Sequence, residues 1–296
     1  MNSKKRILFI INPKSGSIGK KRNIESIIEE KVDQNKFEYT IKYTQYQGHA
    51  IEIATNQAKN GFDIIVAVGG DGSINEVSKG IMNTDVNLGI IPSGSGNGLA
   101  RYLNIPLNAS DALDVILNGN VKAIDTVKLN DYTYLSIAGI GFDAHVAKKF
   151  EGSMLRGFLK YFSIASNSYM TYQQQEYHLI LDDAEEIFIK AFFIAFANSN
   201  QFGYNTKIAP QADISDGMID ICIVRKPSLL DLPQMAHLLF KGEFDQSDNV
   251  IIRKAKKVEV IYNGDPLINL DGEPIEVNKN ININVIPSSL KVIVPK

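Results

Sequence analysis

The sequence predicts a protein of two domains, in which an α/β domain is followed by an antiparallel β-sandwich. Up to about residue 125, short apolar runs alternate with segments of helical periodicity, which is typical of parallel βαβ units. Beyond that point most apolar runs are strand-like and are separated by turn sequences, which favours antiparallel pairing. A chain of 296 residues with 44% hydrophobic content is also long enough to bury two moderate cores.

The first domain is expected to span residues 1–125 and to contain four strands. Its clearest strand covers residues 64–68, where five consecutive apolar residues are mostly β-branched. The segment after this strand has apolar residues at 74, 77 and 81, which is helical spacing. The expected strands cover 7–11, 38–43, 64–68 and 88–91, and the expected helices cover 20–32, 48–60, 74–82, 97–103 and 110–118.

The second domain is expected to span residues 126–296 and to be rich in strands. Turn signals such as Asp182-Asp183 and Asp271-Gly272 separate its apolar runs. Two helices are expected to interrupt the strands, at about 153–171 and 228–241. The expected strands cover 127–130, 132–138, 177–181, 187–197, 218–224, 257–262, 267–270, 275–277 and 281–286.

The composition excludes several classes of protein. A net charge of −2 gives no global sign of nucleic-acid binding. The single cysteine, Cys222, excludes an intramolecular disulfide and a cysteine-based zinc cluster. No apolar stretch approaches the ~18 residues that span a bilayer and no signal peptide is visible, so we expect a cytoplasmic protein. Basic clusters at 4–6, 20–22 and 253–257 are either ordinary solvated faces or contacts with anionic lipid head groups.

Three predicted strands run directly into loops of small and hydroxyl-bearing residues. These loops cover 12–17, 69–73 and 93–98, and the last two are rich in glycine. A strand, a glycine loop and a helix together present free backbone N–H groups to a phosphate. Because ligands bind at the carboxyl edge of a parallel sheet, three such loops favour a nucleotide site over three unrelated turns. Asp71 would repel a phosphate unless a cation lay between them, so the second loop also indicates Mg²⁺.

The loops resemble those of a known family. Asn-Pro-x-Ser-Gly at 12–16, GGDGSINEV at 69–77, PSGSGNGLAR at 92–101 and Asp-Gly-Glu-Pro at 271–274 occur in the order found in the diacylglycerol kinase catalytic-domain superfamily. GGDG alone is shared with NAD kinases and phosphofructokinases, whereas its continuation into Asn-Glu points to lipid kinases. The resemblance covers nearly the whole chain. It implies a nucleotide-binding domain like that of NAD kinase and phosphofructokinase, a C-terminal β-sandwich, and an active site in the cleft between them.

The resemblance implies an ATP- and Mg²⁺-dependent lipid kinase that transfers the γ-phosphoryl group to a lipid hydroxyl. The acceptor stays open between a diacylglycerol-like and a sphingoid lipid, since Gly98 follows Asn97 where many diacylglycerol kinases have aspartate. An NAD kinase and a catalytically silent lipid- or nucleotide-binding regulator are the alternatives. Such an enzyme of lipid metabolism is expected to meet its substrate at the membrane surface, and the sequence is compatible with a homodimer.

The same resemblance assigns the residues that hold ATP. Asp71 is expected to be catalytic and to act on the nucleotide-bound Mg²⁺, although an aspartate in this position also suits the cap of a helix. The other residues lie in the three loops, at the start of the helix after the second loop, and after the second strand. The full set is Asn12, Ser15, Gly16, Thr44, Gly70, Asp71, Gly72, Ser73, Asn75, Glu76, Ser95, Gly96 and Asn97.

The sequence Asp271-Gly272-Glu273 has two interpretations. Asp-Gly between apolar strands is the strongest short signal for a β-hairpin. By resemblance, Glu273 is the general base that removes a proton from the lipid hydroxyl, and Asp271 supports the metal or the base. Both interpretations can hold, because a hairpin tip is a rigid mount for a carboxylate whose pKa is raised when lipid partly desolvates it.

The segment from Asp213 to Asp220 resembles one that binds a second, structural Mg²⁺. By that resemblance Asp216 is the carboxylate ligand, and Asp213 and Met218 are the carbonyl donors; oxygen ligands suit Mg²⁺. Asp125 matches an aspartate that lies near the nucleotide-bound metal in the family. The alternatives are an ordinary acidic loop for the segment and a turn residue for Asp125.

Overall fold

The computed structural model describes residues 4–15, 18–151, 158–203, 206–277 and 280–296, without the side chains of 18–23, 151, 158–162 and 203. The chain forms two compact units. The first is made of Met1–Ile124 and Ser288–Lys296, and the second of Asp125–Pro287. This division differs from the expected domains in that the last residues of the chain return to the first unit.

The first unit is built around a parallel sheet. Its strands follow the order β2-β1-β3-β4, and each neighbouring pair is parallel. Residues 291–292 of the last strand pair in parallel with Asn87 and Leu88 beside β4. The elements are β1 (Lys5–Ile11), α1 (Ile18–Lys31), β2 (Phe37–Tyr43), α2 (His49–Ala58), β3 (Ile64–Gly69), α3 (Asp71–Ile81), β4 (Asn87–Pro92), α4 (Gly98–Tyr102) and α5 (Ala109–Asn118).

The central strands of this sheet are buried over their whole apolar length. Residues 7–11 of β1 and all of β3 are buried, as expected for strands of a parallel sheet that is covered on both faces. Helices α2 and α3 pack so closely that a Cβ on Gly80 would lie 2.5 Å from the Cβ of Ala54. The carboxyl ends of all four strands meet at one edge, so the three loops predicted to bind phosphate lie at that edge.

The second unit is an antiparallel β-sandwich, as predicted. One sheet has the order β14-β13-β10-β7-β16-β17, and in the other the first part of β18 is followed by β15, β8 and β9. Between them lies an apolar core that includes Val127, Leu179 and Val260 of the second sheet and Ile140, Phe196 and Ile221 of the first. The elements are β5 (Asn120–Leu129), β6 (Tyr132–Tyr134), β7 (Ile137–Gly141), α6 (Phe142–Glu151), α7 (Phe158–Tyr169), β8 (Gln175–Leu181), β9 (Glu185–Ala191), β10 (Phe193–Ala197), β11 (Gln201–Gly203), β12 (Thr206–Lys207), β13 (Ile219–Val224), α8 (Leu232–Lys241), β14 (Val250–Ala255), β15 (Lys257–Tyr262), β16 (Leu267–Leu270), β17 (Glu273–Glu276) and β18 (Asn280–Val294).

The sequence patterns missed four elements of the second unit, which are α6, β11, β12 and β14. Helix α6 begins at Phe142, directly after Gly141, which ends the apolar strand β7 with a φ of +85°, so the sequence shows no turn segment between the two elements. In strand β14 the consecutive residues Arg253 and Lys254 are both exposed although they point to opposite faces, so their charges interrupted the alternation of apolar and polar residues. The predicted helix at 153–171 corresponds to α7, and its residues 153–157 lie outside the described residues.

Cys222 is buried within β13, and burial raises the pKa of its thiol. The side chain packs in an apolar cluster and has a structural role there. Among the residues that the structure describes, none of the helices has the length and apolar character needed to cross a bilayer.

Candidate active site

The two glycine loops of the first unit pack backbone against backbone. A Cβ on Gly94 would lie 2.6 Å from the Cα of Gly70, a separation that real side chains do not reach. The N–H of Ser93 donates to the carbonyl of Gly69 at 2.8 Å, which ties the ends of β3 and β4 together. Glycine is therefore required at 94 by close approach, and the second and third predicted phosphate loops form one surface.

Asp71 joins these loops through its carboxylate. Its Oδ2 accepts the N–H of Asn97 and its Oδ1 accepts the N–H of Gly98, both at 2.8 Å. Burial raises the pKa of Asp71, while the two N–H donors and the nearby Arg101 act in the opposite direction. Asp71 therefore caps the start of α4, which follows the third loop, and not the start of α3. A carboxylate has about four lone-pair directions, so these two bonds leave acceptor capacity for a cation.

Asn97 fixes the shape of the third loop. It has a φ of +51°, and its side-chain amide bonds both polar groups of Gly94, with Oδ1 accepting the N–H and Nδ2 donating to the carbonyl at 2.9 Å each. Arg101 Nε donates to the carbonyl of Gly96 at 3.0 Å. These bonds hold the backbone of the loop and leave Ser95 exposed at its tip.

The first loop reaches both glycine loops through hydroxyl groups. Asn12 Nδ2 donates to Ser73 Oγ at 3.0 Å, and the hydroxyls of Ser15 and Ser93 lie 3.1 Å apart. Asn12 Oδ1 accepts the N–H of Lys14 at 2.8 Å, which fixes the turn after Pro13. Gly16 lies outside the described residues. The structure therefore brings together residues that are 61 and 78 positions apart in sequence.

The other predicted nucleotide residues occupy the surroundings of these loops. Thr44 is buried after β2, and its N–H donates to the carbonyl of Ile11 at 3.0 Å. Glu76 accepts the N–H groups of Gly48 at 2.9 Å and Ala50 at 3.2 Å, so its carboxylate caps the N-terminus of α2. Gly72 and Asn75 lie in the first turns of α3, where Asn75 is buried.

Asp271 occupies the tip of the β16–β17 hairpin and binds three backbone donors. Both Asp271 and Gly272 have positive φ, as a type I′ turn requires. Oδ2 accepts the N–H of Leu135 at 2.8 Å, and Oδ1 accepts those of Ser136 at 2.8 Å and Ile137 at 3.0 Å. The hairpin interpretation is confirmed. Sequence reasoning missed these partners, because backbone donors leave no signal in residue type.

Glu273 follows this turn as the first residue of β17, and its side chain is exposed. It pairs with Leu270 across the hairpin. The carboxylate thus stands on a rigid support that the bonds of Asp271 hold in place, and it is accessible to a substrate.

Asp125 connects the predicted metal loop to the start of the second unit. Its side chain is buried, and its Oδ2 accepts the N–H of Gly217 at 2.7 Å. Its own N–H donates to the carbonyl of Ile214 at 2.7 Å. Gly217 has a φ of +74°, which fits the Asp-Gly turn predicted there. Asp125 therefore orders the loop through hydrogen bonds and does not behave as a simple turn residue.

The remaining carboxylates of this loop have partners within the protein. Asp216 accepts the N–H of Met218 at 2.9 Å and pairs with Lys254 at 3.0 Å, while Asp213 accepts from the N–H and the hydroxyl of Ser215. Buried Asp220 also lies 3.2 Å from Lys254. Burial alone would lower the pKa of Lys254, but these two carboxylates raise it overall.

Within the described part of the chain, no three His, Cys, Asp or Glu side chains are grouped as a metal site would need. The oxygen donors suit Mg²⁺, yet Lys254 already neutralises the predicted carboxylate ligand.

The basic cluster at 253–257 is largely neutralised. Its cations form ion pairs with nearby carboxylates, at separations of 3.5, 3.0 and 2.7 Å: Arg253–Glu185, Lys254–Asp216 and Lys257–Asp183. This favours the interpretation of the cluster as a solvated face over a contact with anionic lipid.

The sequences of both units match known protein families. The diacylglycerol kinase catalytic domain matches residues 6–129, and the YegS C-terminal NAD kinase beta sandwich-like domain matches residues 136–294. Among curated relatives, the diacylglycerol kinase of Bacillus subtilis (strain 168) is 32% identical, covering 91% of this chain and 90% of the relative. The diacylglycerol kinase of Staphylococcus saprophyticus is 29% identical, covering 91% of this chain and 89% of the relative.

Solved structures share the fold. A crystal structure of a diacylglycerol kinase from Bacillus anthracis str. Sterne has a TM-score of 0.77 at 20% identity, covering 99% of this chain and 98% of the other. A yeast NADH kinase complexed with NADH has a TM-score of 0.51 at 12% identity, covering 100% of this chain and 84% of the other. The predicted combination of a nucleotide-binding domain of this type with a β-sandwich is confirmed.

Proposed function

This chain belongs to the diacylglycerol kinase family, and on that premise we propose that it transfers the γ-phosphoryl group of ATP to the hydroxyl group of a diacylglycerol-like lipid. The observation that carries this proposal is the interlocking of three loops at the carboxyl edge of a parallel sheet. Phosphoryl transfer needs a support for the triphosphate and a group that orients the attacking oxygen, and both are available among the described residues.

The support for the triphosphate is assigned to the loops of the first unit. No side chain fits between Gly70 and Gly94, so the backbone of Gly70 is not covered by a Cβ of its own or of Gly94. Hydroxyl groups are present in all three loops: Ser73 bonds Asn12, Ser15 contacts Ser93, and Ser95 is exposed at the tip of the third loop. Free N–H groups at the start of α3 and neutral hydroxyls are the donors that bind phosphate oxygens.

The general base is assigned to Glu273. Its carboxylate is exposed at the tip of a hairpin, and the three N–H groups bound by Asp271 hold that tip. The lipid hydroxyl donates its proton to this carboxylate as the oxygen attacks the γ-phosphorus, and the phosphate–phosphate bond to ADP breaks. Asp271 is then a positioning residue, since its own oxygens are occupied by backbone donors.

Two roles are proposed for Mg²⁺. When bound with ATP, it neutralises the charge of the phosphates, and Asp71 is the carboxylate in the phosphate loops that would face it. The second role is structural, in the loop that contains Asp216. Since Lys254 occupies one oxygen of Asp216, this cation has to share or displace the ammonium group.

The structural role is tested by thermal unfolding without nucleotide. We expect Mg²⁺ to raise the Tm of the wild type and to leave the Tm of Asp216→Ala unchanged. Asp213→Ala is the matched control, because Asp213 is assigned a backbone carbonyl as ligand, and its variant should keep the response to Mg²⁺. An equal response of wild type and Asp216→Ala would exclude this metal site.

The activity itself is tested by transfer of labelled phosphate from [γ-³²P]ATP, measured in an organic extract for lipid products and by chromatography of the aqueous phase for a product of NAD. The acceptors are dioctanoylglycerol, phosphatidylglycerol and sphingosine, with NAD as a water-soluble comparison. We expect transfer to at least one lipid and none to NAD. No transfer to any lipid would refute the proposal, and transfer to NAD with inert lipids would favour an NAD kinase.

Contact with the membrane surface is proposed from the chemistry of the substrate, since a diacylglycerol resides in a bilayer. Sedimentation with vesicles that contain diacylglycerol, compared with vesicles that lack it, tests this contact. A homodimer stays a prediction, which the sedimentation coefficient of the purified protein checks.

A further inference from the structure

Four consecutive residues that follow β10 each bury a side-chain oxygen without a hydrogen-bond donor. The atoms are Asn198 Oδ1, Ser199 Oγ, Asn200 Oδ1 and Gln201 Oε1, and none is bonded by any residue that the structure describes. Asn198 and Ser199 are fully buried. Buried polar groups in proteins almost always have a partner, and a run of four without one is unusual. Water or a ligand can supply the donors that the described residues do not give to this segment, residues 198–201.

The amide of Asn198 shows that its free oxygen is a genuine acceptor. Its Nδ2 donates to the carbonyl of Asp125 at 3.0 Å and to that of Leu135 at 2.7 Å. Exchanging the amide oxygen and nitrogen would place Oδ1 against two carbonyl oxygens, which is unfavourable. The orientation of this side chain is therefore fixed, and Oδ1 faces away from both carbonyls.

The 198–201 segment is attached to the same stretch of backbone as the catalytic hairpin. The carbonyl of Ser136 accepts the N–H groups of Asn198 at 2.9 Å and Ser199 at 3.0 Å. The N–H groups of residues 135–137 are the donors that hold the carboxylate of Asp271. One short stretch of the second unit thus positions both the hairpin with Glu273 and the unpaired oxygens.

We infer that the 198–201 segment binds the polar head of the acceptor lipid, whose hydroxyl groups donate to these oxygens. The inference rests on the proposed function, because it names the site for the lipid in that reaction. None of the four residues carries a charge, which suits a neutral hydroxyl-bearing head. A divalent cation, by contrast, would find no carboxylate within the segment.

Ser199→Ala removes one of these oxygens and tests the inference with a soluble acceptor. With dioctanoylglycerol as substrate, the KM for the acceptor should rise about threefold to tenfold, as expected for one lost hydrogen bond. The KM for ATP should stay unchanged. The Tm should not fall, because the hydroxyl has no partner in the described protein and replacing it leaves none unpaired. Gln201→Met, which keeps the length of the side chain, should raise the KM for the acceptor in the same way and leave the KM for ATP unchanged.

Ser247→Ala is the matched control in the same unit. Ser247 is also buried, but its Oγ accepts the N–H of Asn249 at 3.3 Å. This variant should lower the Tm and leave both KM values unchanged. If the wild type is active while Ser199→Ala and Gln201→Met keep the wild-type KM for dioctanoylglycerol, water alone serves these oxygens and the inference is wrong. If the wild type transfers no phosphate to any lipid, the proposed function and the inference both fail.

Discussion

Replacing Asp271 with asparagine tests the role of its carboxylate as a hydrogen-bond acceptor. Asparagine tolerates the positive φ of this position, so the turn can be kept. The carboxylate accepts three N–H groups with two oxygens, whereas the amide has one oxygen. If Oδ1 keeps the bonds from Ser136 and Ile137, the N–H of Leu135 loses its acceptor and faces an NH₂ group.

The cost of this change follows from the lost bond. A hydrogen bond to a charged group is worth about 1.5–3 kcal/mol, and the N–H left without an acceptor adds to it. We therefore expect Asp271→Asn to lower the free energy of unfolding of the second unit by about 2–4 kcal/mol. Activity should fall as well, because the hairpin that carries Glu273 loses one of its three anchors.

Asp182 provides a matched control at another hairpin tip. It also has a positive φ, of 51°, but a single oxygen, Oδ1, accepts both of its backbone donors, from Lys256 at 2.9 Å and Lys257 at 2.8 Å. Asp182→Asn can keep both bonds, so its cost should be less than half of that of Asp271→Asn. Urea unfolding of the wild type and both variants, followed by circular dichroism, measures the difference. Equal costs for the two variants, or a wild-type midpoint for Asp271→Asn, would refute the reasoning.

Three further predictions address the base, the loops and the pH dependence. Glu273→Gln should lower phosphoryl transfer by a factor of ~10²–10⁴ without moving the urea midpoint, since its side chain is exposed; normal turnover would leave it as a hairpin residue only. Gly94→Ala places a Cβ 2.6 Å from the facing glycine Cα, so it should cost about 1–3 kcal/mol and raise the KM for ATP, and an unchanged KM would contradict the phosphate assignment. Burial raises the pKa of Asp71, so the contribution of this residue to stability is present at low pH and is lost as the pH rises through that raised pKa. Asp85 behaves in the opposite way, because a hydrogen bond from Lys291 and the charge of Lys291 lower its pKa. Its contribution to stability is lost as the pH falls through that lowered pKa. We measure the difference in the free energy of unfolding between the wild type and each variant as a function of pH. This difference should change with pH in opposite directions for Asp71→Asn and Asp85→Asn. A change in the same direction for both variants would contradict these pKa assignments.

The sequence by itself determined the succession of strands and helices from β1 to α5 and the position of the loops between them, whereas the return of the last residues to this unit was decided by the tertiary structure. The run at 64–68 has the apolar, β-branched character of a buried parallel strand, and the structure has β3 at Ile64–Gly69. The order of strands and helices followed because each pattern is local: a period of two or of 3.6 residues shows in a short window. The Asp271-Gly272 hairpin was predicted for the same reason, since two positive φ values limit the residue types that a turn accepts.

The tertiary structure alone decided how the candidate residues are held. Glu76 and Asp71 have their oxygens on backbone N–H groups that are 26–28 positions away, and any residue type supplies such donors. The pairing of Lys254 with Asp216 and Asp220 depends on β13 lying beside β14, a strand whose charges hid its pattern. The unpaired oxygens at 198–201 are visible only once burial is known, because an Asn-Ser-Asn-Gln sequence by itself looks like an exposed turn. Long-range contacts thus decided the roles that local periodicity could not encode.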